Sequence, residues 1–419
     1  MSRQTFVIVG ASLAGAKAAE ELRTQGFDGE VILVGDEPER PYERPPLTKD
    51  YLRGESERAA TFVHPEAFYA EQGIELVTGV TVTAIDPGAS RVTLGTDREL
   101  RFDRLLLATG AAPRRIPIPG IDLDGVHELR TLADSDALRD RLNAGGRVVV
   151  VGAGWIGSEF AASARQRGLE VTLLDPVALP NERLFGPEIG TFYRDVHARN
   201  GIELALGDGV AAFEGDRAVR HVRTTGGRTL PCDFAVVGIG VVPRTGLASA
   251  AGLDTNNGIV TDERLRTSAP NVFAAGDVAA AWHPVYSRRL RVEHWSNALE
   301  QGPAAARGML GMPGSYEHVP YFFSDQYDVG MEYSGYAPQW DDVVFRGDRE
   351  GGEFVAFWRR DGRVVAGMNV NVWDVSDPIR ALIDSGAIVD VSALTDPDVP
   401  LETLAARSEA PSGGADGDA

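Results

Sequence analysis

Residues 5–37 read TFVIVGASLAGAKAAEELRTQGFDGEVILVGDE. An apolar run, residues 6–9, leads into Gly10-Ala11-Ser12-Leu13-Ala14-Gly15, and a small-residue stretch with helical apolar spacing follows. A second apolar run, residues 31–34, ends at Asp36 and Glu37. The order is strand, turn, helix, strand, with a G-x-S-x-x-G turn. Glycines in such a turn permit a tight bend and close approach of the backbone to a pyrophosphate. The helix that follows offers unpaired N–H groups and the positive end of its dipole. An acid closing the second strand accepts hydrogen bonds from a ribose. Asp36 stands 26 positions after Gly10, slightly beyond the usual interval, and Ser12 occupies the middle-glycine position. Its side chain is small enough for the turn to survive.

The unit recurs. Residues 146–176, GRVVVVGAGWIGSEFAASARQRGLEVTLLDP, carry Gly152-Ala153-Gly154-Trp155-Ile156-Gly157, a helical stretch, and an apolar run at 171–174 ending in Asp175. Two fingerprints 142 positions apart imply two dinucleotide sites in an α/β chain with two Rossmann-like domains. Asp175 would repel a 2′-phosphate, and the following DPVALPNE contains no arginine, so NADH is expected in preference to NADPH.

The chain has 419 residues, too many for one ordinary core. Its net charge of −20 argues against nonspecific binding to nucleic acid or to an anionic membrane. No apolar run is long enough to span a bilayer, and the N-terminal stretch lacks the basic leader of a signal peptide, so a cytoplasmic protein is expected. The one cysteine, Cys232, lies in the apolar run LPCDFAVVGIG, so no intrachain disulfide can form. No histidines stand at metal-ligand spacing with cysteine or carboxylate, and no metal site is expected. Residues 341–347, 353–360 and 362–371 read as antiparallel strands, SDPIRALIDSG reads as a helix, and residues 403–419 are small, polar and acidic, as in a disordered tail.

In combination with the two fingerprints, LLLATGAAPR (105–114), VVGIGVVPRT (236–245) and TSAPNVFAAGDVA (267–279) resemble the two-dinucleotide flavoprotein reductases. That resemblance implies a glutathione-reductase-like fold with FAD on the first unit and NADH on the second. The implied division is a split FAD domain (1–112 and 246–320), an NADH domain (113–245) and an α+β C-terminal domain (321–402). Many members of that family pass electrons to a thiol in the segment after the first ribose acid. Here that segment is PERPYERPPLTKDYL, with no cysteine. Electrons from reduced FAD must therefore leave the chain directly.

The same segment, with HELRTLADS, VEHWSNALEQG and YFFSDQYD, is similar to the ferredoxin and rubredoxin reductases that feed monooxygenases and dioxygenases. The resemblance implies FAD contacts from Gly10, Ser12, Leu13, Ala14, Gly15, Asp36, Glu37, Arg44, Lys49, Val82, Ala108, Thr109, Gly110, Arg130, Gly240, Gly276, Asp277 and Trp295. It implies NADH contacts from Gly152, Gly154, Ile156, Gly157, Glu159 and Asp175. Lys49 and Glu159 are the catalytic candidates, with the two of them paired. Lys49 is one of two lysines in the chain, and Pro45 and Pro46 would set the approach of a helix carrying it. A compact ammonium beside the flavin would stabilise its reduced, anionic form.

The expected partner is an acidic iron–sulfur protein, a ferredoxin before a rubredoxin. Arg288, Arg289, Arg291, Arg359 and Arg360 are candidate docking groups. No nucleic-acid or membrane partner is expected, and the chain is expected to be a monomer or weak homodimer. An NADH:rubredoxin reductase and a redox-regulated flavoprotein like apoptosis-inducing factor are the alternative readings.

Overall fold

The computed structural model describes residues 3–406. The first fingerprint builds a five-stranded parallel sheet in the spatial order Val272–Ala274, Arg104–Leu107, Thr5–Val9, Glu30–Val34, Ile74–Val77. Parallel strands are covered on both faces, which is why residues 6–9 and 31–34 are continuous apolar runs rather than alternating ones. The second fingerprint builds the same arrangement: Glu203–Leu206, Glu170–Asp175, Arg147–Val151, Phe234–Val237, Val126–Glu128, again all parallel. In each sheet the fingerprint strand is central. Its turn therefore opens at the carboxyl ends of the strands, where sheets of this type bind ligands.

The repetition goes further. Each sheet is accompanied by a three-stranded antiparallel sheet, Val82–Asp86 with Arg91–Leu94 and Glu99–Arg101, and Val210–Glu214 with His221–Thr224 and Thr229–Pro231. The two crossing segments, Ala111–Pro113 and Val241–Pro243, pair antiparallel with one another. Helix Trp295–Met309 lies against helix Leu13–Thr24, and both bury alanine-rich faces in one core with Phe6, Ile8 and Leu33.

The chain forms two compact units, Met1–Glu182 with Tyr193–His318, and Arg183–Phe192 with the residues from Val319 onward. The second unit is a five-stranded antiparallel sheet ordered Tyr321–Gln326, Val329–Gly335, Arg363–Val370, Glu353–Arg360, Asp342–Asp348, with helices Ser376–Ser385, Val391–Thr395 and Glu402–Ala406. Residues 183–192, which the sequence reading groups with the NADH-binding span, anchor in this unit. The Trp358 indole N–H donates to the Phe185 carbonyl at 3.1 Å, and the two rings lie 5.6 Å apart. Residues 403–406 of the expected tail belong instead to helix Glu402–Ala406, and from residue 407 on the tail lies outside the described residues.

Candidate functional site

At the first turn, the Gly10 N–H donates to the Val34 carbonyl at 2.8 Å. A Cβ at Gly10 would stand 2.0 Å from the Ala108 oxygen, at a φ of +121°. Gly152 repeats this against the Gly238 oxygen, at 2.3 Å and +108°. Ser12 and Gly154, both extended, cap helices Leu13–Thr24 and Trp155–Gln166. The serine does not break the turn. Leu13, Ala14 and Gly15, like Gly157, are buried, and Ile156 is partly exposed. At Gly154, Gly110 and Gly240 an added Cβ would meet no protein atom within 4 Å. Backbone crowded from behind and open in front is a cradle suited to a pyrophosphate.

The two strand-closing acids differ. Asp36 is half exposed and pairs with Arg244 at 2.9 Å. Asp175 links the glycine turn to its own loop: Oδ2 accepts from the Ala153 N–H at 2.6 Å and Oδ1 from the Val177 N–H at 2.8 Å. Arg244 also draws the crossing segments together, its carbonyl accepting from the Thr109 hydroxyl at 2.9 Å and its N–H donating to the Gly110 carbonyl at 2.9 Å. Ala108 donates to the Val9 carbonyl at 2.7 Å, and the Gly240 carbonyl accepts from the Arg114 N–H at 2.9 Å.

Four segments converge beside the first turn. The Glu37 carboxylate accepts from the Tyr42 hydroxyl at 2.5 Å and from Arg44 at 3.3 Å. Arg44 donates to the Arg130 carbonyl, and the Arg130 guanidinium pairs with Asp277 at 2.6 Å. Burial, then the Arg44 charge, lowers the Arg130 pKa against the pull of Asp277. Arg130 Nε is buried without a hydrogen-bond partner, so the site holds a donor suited to a phosphate or ring oxygen of a bound dinucleotide. Asp277 sits in the single turn Gly276–Val278, which the buried Gln301 side chain fixes by accepting from the Gly276 N–H at 2.9 Å. Trp295 opens helix Trp295–Met309 behind His294, whose pKa burial pushes down to about 4. Val82 packs in the core with Val7, Val9 and Val34.

Lys49 and Glu159, 110 positions apart in sequence, meet at 3.1 Å, with side chains only 9% and 8% exposed. The expected helix carrying Lys49 is absent. Pro45 and Pro46 start a 3₁₀ turn, Pro45–Thr48, and Lys49 sits between it and the one-turn helix Asp50–Arg53, at φ −121° and ψ −121°. The 3₁₀ turn that the prolines open stops at Thr48, and Lys49 lies between two helical turns with its side chain running inward. Thr48 and Ser163 join the contact: the Thr48 hydroxyl donates to Glu159 at 2.5 Å, and the Ser163 hydroxyl donates to the Thr48 carbonyl at 2.6 Å. Sequence reasoning missed Thr48, Ser163, Gln301 and Arg244. Their signal was a polar residue on an otherwise small or apolar face, which spacing alone does not single out.

The arginine docking cluster is corrected in part. Arg291 is 13% exposed and pairs with Glu293, and Arg359 pairs with Asp342 at 2.7 Å. Arg288 and Arg289 remain exposed on strand Arg288–Leu290. No helix among the described residues is long and apolar enough to cross a membrane.

Paired Rossmann-like sheets, each with its own glycine cradle and joined by a buried lysine–glutamate contact, define a two-dinucleotide oxidoreductase. The chain belongs to the pyridine nucleotide-disulphide oxidoreductase family, whose model matches residues 4–302, and a reductase C-terminal domain matches residues 321–405. It is 40% identical over 406 residues to the ferredoxin–NAD(+) reductase component of the anthranilate 1,2-dioxygenase system of Burkholderia cepacia, covering 96% of this chain and 100% of that one. It is 37% identical to putidaredoxin reductase of Pseudomonas putida, covering 98% of each chain. The crystal structure of the covalent putidaredoxin reductase–putidaredoxin complex superposes with a TM-score of 0.93 at 36% identity, covering 98% of this chain and 100% of that chain.

Proposed function

We propose that this chain is a cytoplasmic, FAD-dependent NADH:ferredoxin reductase that supplies electrons to an iron–sulfur carrier of a monooxygenase or dioxygenase system. Residues 1–112 and 246–320 would hold FAD, residues 113–245 would hold NADH, and residues 321–402 would form the third domain. The observation that carries the reading is the thiol-free segment 38–52, which brings Lys49 to Glu159 of the second fingerprint helix where disulfide reductases keep a redox cysteine. The one cysteine offers no substitute. Cys232 is buried, and burial, with Asp233 beside it, pushes its thiol up to about 12, so it stays protonated and unreactive.

Bound FAD supplies the conversion of a two-electron hydride into two single electrons. The chain's own residues do the positioning. The Gly10 and Gly152 turns leave backbone N–H groups and helix N-termini for two pyrophosphates. Arg44 and Arg130 are held in place by Glu37 and Asp277, which keeps two guanidiniums side by side for anionic or carbonyl oxygens. Asp175, held by the Ala153 and Val177 N–H groups, places an acidic side chain where a 2′-phosphate would fall and so favours NADH over NADPH. Lys49 keeps a compact positive charge in a nearly water-free place.

The test is reduction of cytochrome c by NADH with purified ferredoxins added in turn. The expected rate saturates with a [2Fe–2S] ferredoxin and is far lower without one. Equal rates with and without every ferredoxin would reject the reading.

A further inference from the structure

We infer that Thr48 is a positioning residue that sets how Glu159 engages Lys49, and through that pair the rate at which NADH reduces the flavin. The inference rests on the proposed function. Both oxygens of the Glu159 carboxylate are taken by consecutive residues of the other fingerprint's side: Oε1 by the Lys49 ammonium at 3.1 Å, and Oε2 by the Thr48 hydroxyl at 2.5 Å. The hydroxyl has one proton and two acceptors in reach, and the Pro45 carbonyl is the farther, at 3.2 Å. The shorter, charge-assisted bond to the carboxylate takes it. All three residues are buried, Thr48 at 6%, Lys49 at 7% and Glu159 at 7% exposed, so little water is at hand to replace a lost donor.

The surroundings fix Thr48 itself. Ser163 stands four positions after Glu159 on helix Trp155–Gln166, on the same face, and donates to the Thr48 carbonyl at 2.6 Å. Arg53 in turn donates to the Ser163 hydroxyl at 3.3 Å. The β-branched threonine has few side-chain rotamers, so its hydroxyl is aimed before the carboxylate arrives. One helix thus grips Thr48 at two points, backbone and side chain. Without the Thr48 hydroxyl, Glu159 would rotate toward Lys49 and neutralise more of its charge. Reduced flavin would then lose part of the positive field that favours it.

The test is a double-mutant cycle on the FAD-loaded enzyme, without ferredoxin. It uses Thr48→Val, Glu159→Ala, both together, and Thr48→Ser, with Thr48→Ala replacing valine if that variant does not retain FAD. Three quantities are read: bound FAD, the flavin midpoint potential, and the anaerobic rate of flavin reduction by NADH. Thr48→Val is expected to keep its FAD, to slow reduction about tenfold, and to lower the midpoint potential, with the rate set by one lost charge-assisted bond. Thr48→Ser is expected to return the rate to within about twofold of wild type, and in the Glu159→Ala background Thr48→Val should change nothing. Additive effects of the two substitutions, a serine variant as slow as the valine one, or an unchanged potential would each overturn the inference. A wild-type flavin that NADH fails to reduce would instead contradict the proposed function.

Discussion

The two fingerprint units have the same strand order and the same glycine-to-carbonyl crowding, yet they finish their sites differently. In the second, Asp175 turns inward and ties its own loop, through the Val177 N–H, to the glycine turn of the same unit, through the Ala153 N–H. In the first, Asp36 makes its bond to Arg244, 208 positions away, across the paired crossing segments. The middle position follows suit: Gly154 leaves open space, whereas Ser12 fills part of it. One site is completed locally and the other by the rest of the chain. A repeated fold therefore does not imply a repeated division of labour among equivalent residues.

The largest expected effect falls where the two units touch. Lys49→Ala leaves Glu159 buried without its cation, and should cost about 3–5 kcal/mol of stability as well as slowing flavin reduction. Chemical denaturation together with stopped-flow reduction checks this, and wild-type values of both would contradict it. Next, Gly10→Ala and Gly154→Ala separate a structural glycine from one kept for a ligand. The first should lose about 3 kcal/mol or more, from strained φ and steric overlap, and should lose FAD. The second should stay within about 0.5 kcal/mol of wild type but bind NADH more weakly. Equal destabilisation by the two would break the distinction.

Asp175→Asn against Asp36→Asn tests the comparison itself. Asparagine offers one acceptor where the Asp175 loop uses two, so about 2 kcal/mol should be lost, with a higher Michaelis constant for NADH. Asp36→Asn removes an exposed ion pair and should cost less than about 1 kcal/mol. Melting temperatures that fall equally would show that the two acids are equivalent.

The smallest effect is graded with pH. Buried His197 and His294 have pKa values lowered from 6.5 to about 4, chiefly by burial. Between those limits the unfolded chain binds more protons than the folded one. Stability from these groups is complete above the unfolded value and falls as pH drops, by up to about 1.4 kcal/mol per pH unit for each histidine. Urea midpoints at neutral and mildly acidic pH should fall accordingly, and a flat profile would contradict it.

Much of the fold was legible because its signals are local. Apolar runs bounded by Gly10 and Gly152 mark the central strands, and the short apolar runs around Val343, Val355 and Val364, with turn residues between them, mark the antiparallel sheet. The site was legible only where a short motif carries it. Glycine spacing locates the turns, but it cannot show that Asp175 faces inward or that Arg244 reaches Asp36, since those bonds depend on how distant segments pack. The Lys49–Glu159 pairing came from family likeness, not from spacing. That likeness did not extend to Thr48, nor to the break at Lys49: the two prolines do open a helical turn, but it is a 3₁₀ turn that stops at Thr48. The arginines at 291 and 359 look like free surface charge in sequence, and their acidic partners become visible only after folding.

The central claim is that reducing equivalents cross from NADH to FAD and then leave one at a time to an external iron–sulfur protein. Anaerobic stopped-flow mixing of NADH-reduced enzyme with oxidised [2Fe–2S] ferredoxin measures that last transfer directly. The account predicts flavin reoxidation matched by ferredoxin reduction, two ferredoxins per flavin as each accepts one electron, at a rate that saturates with ferredoxin. A flavin that NADH reduces quickly but that stays reduced in the presence of every ferredoxin tested would contradict it.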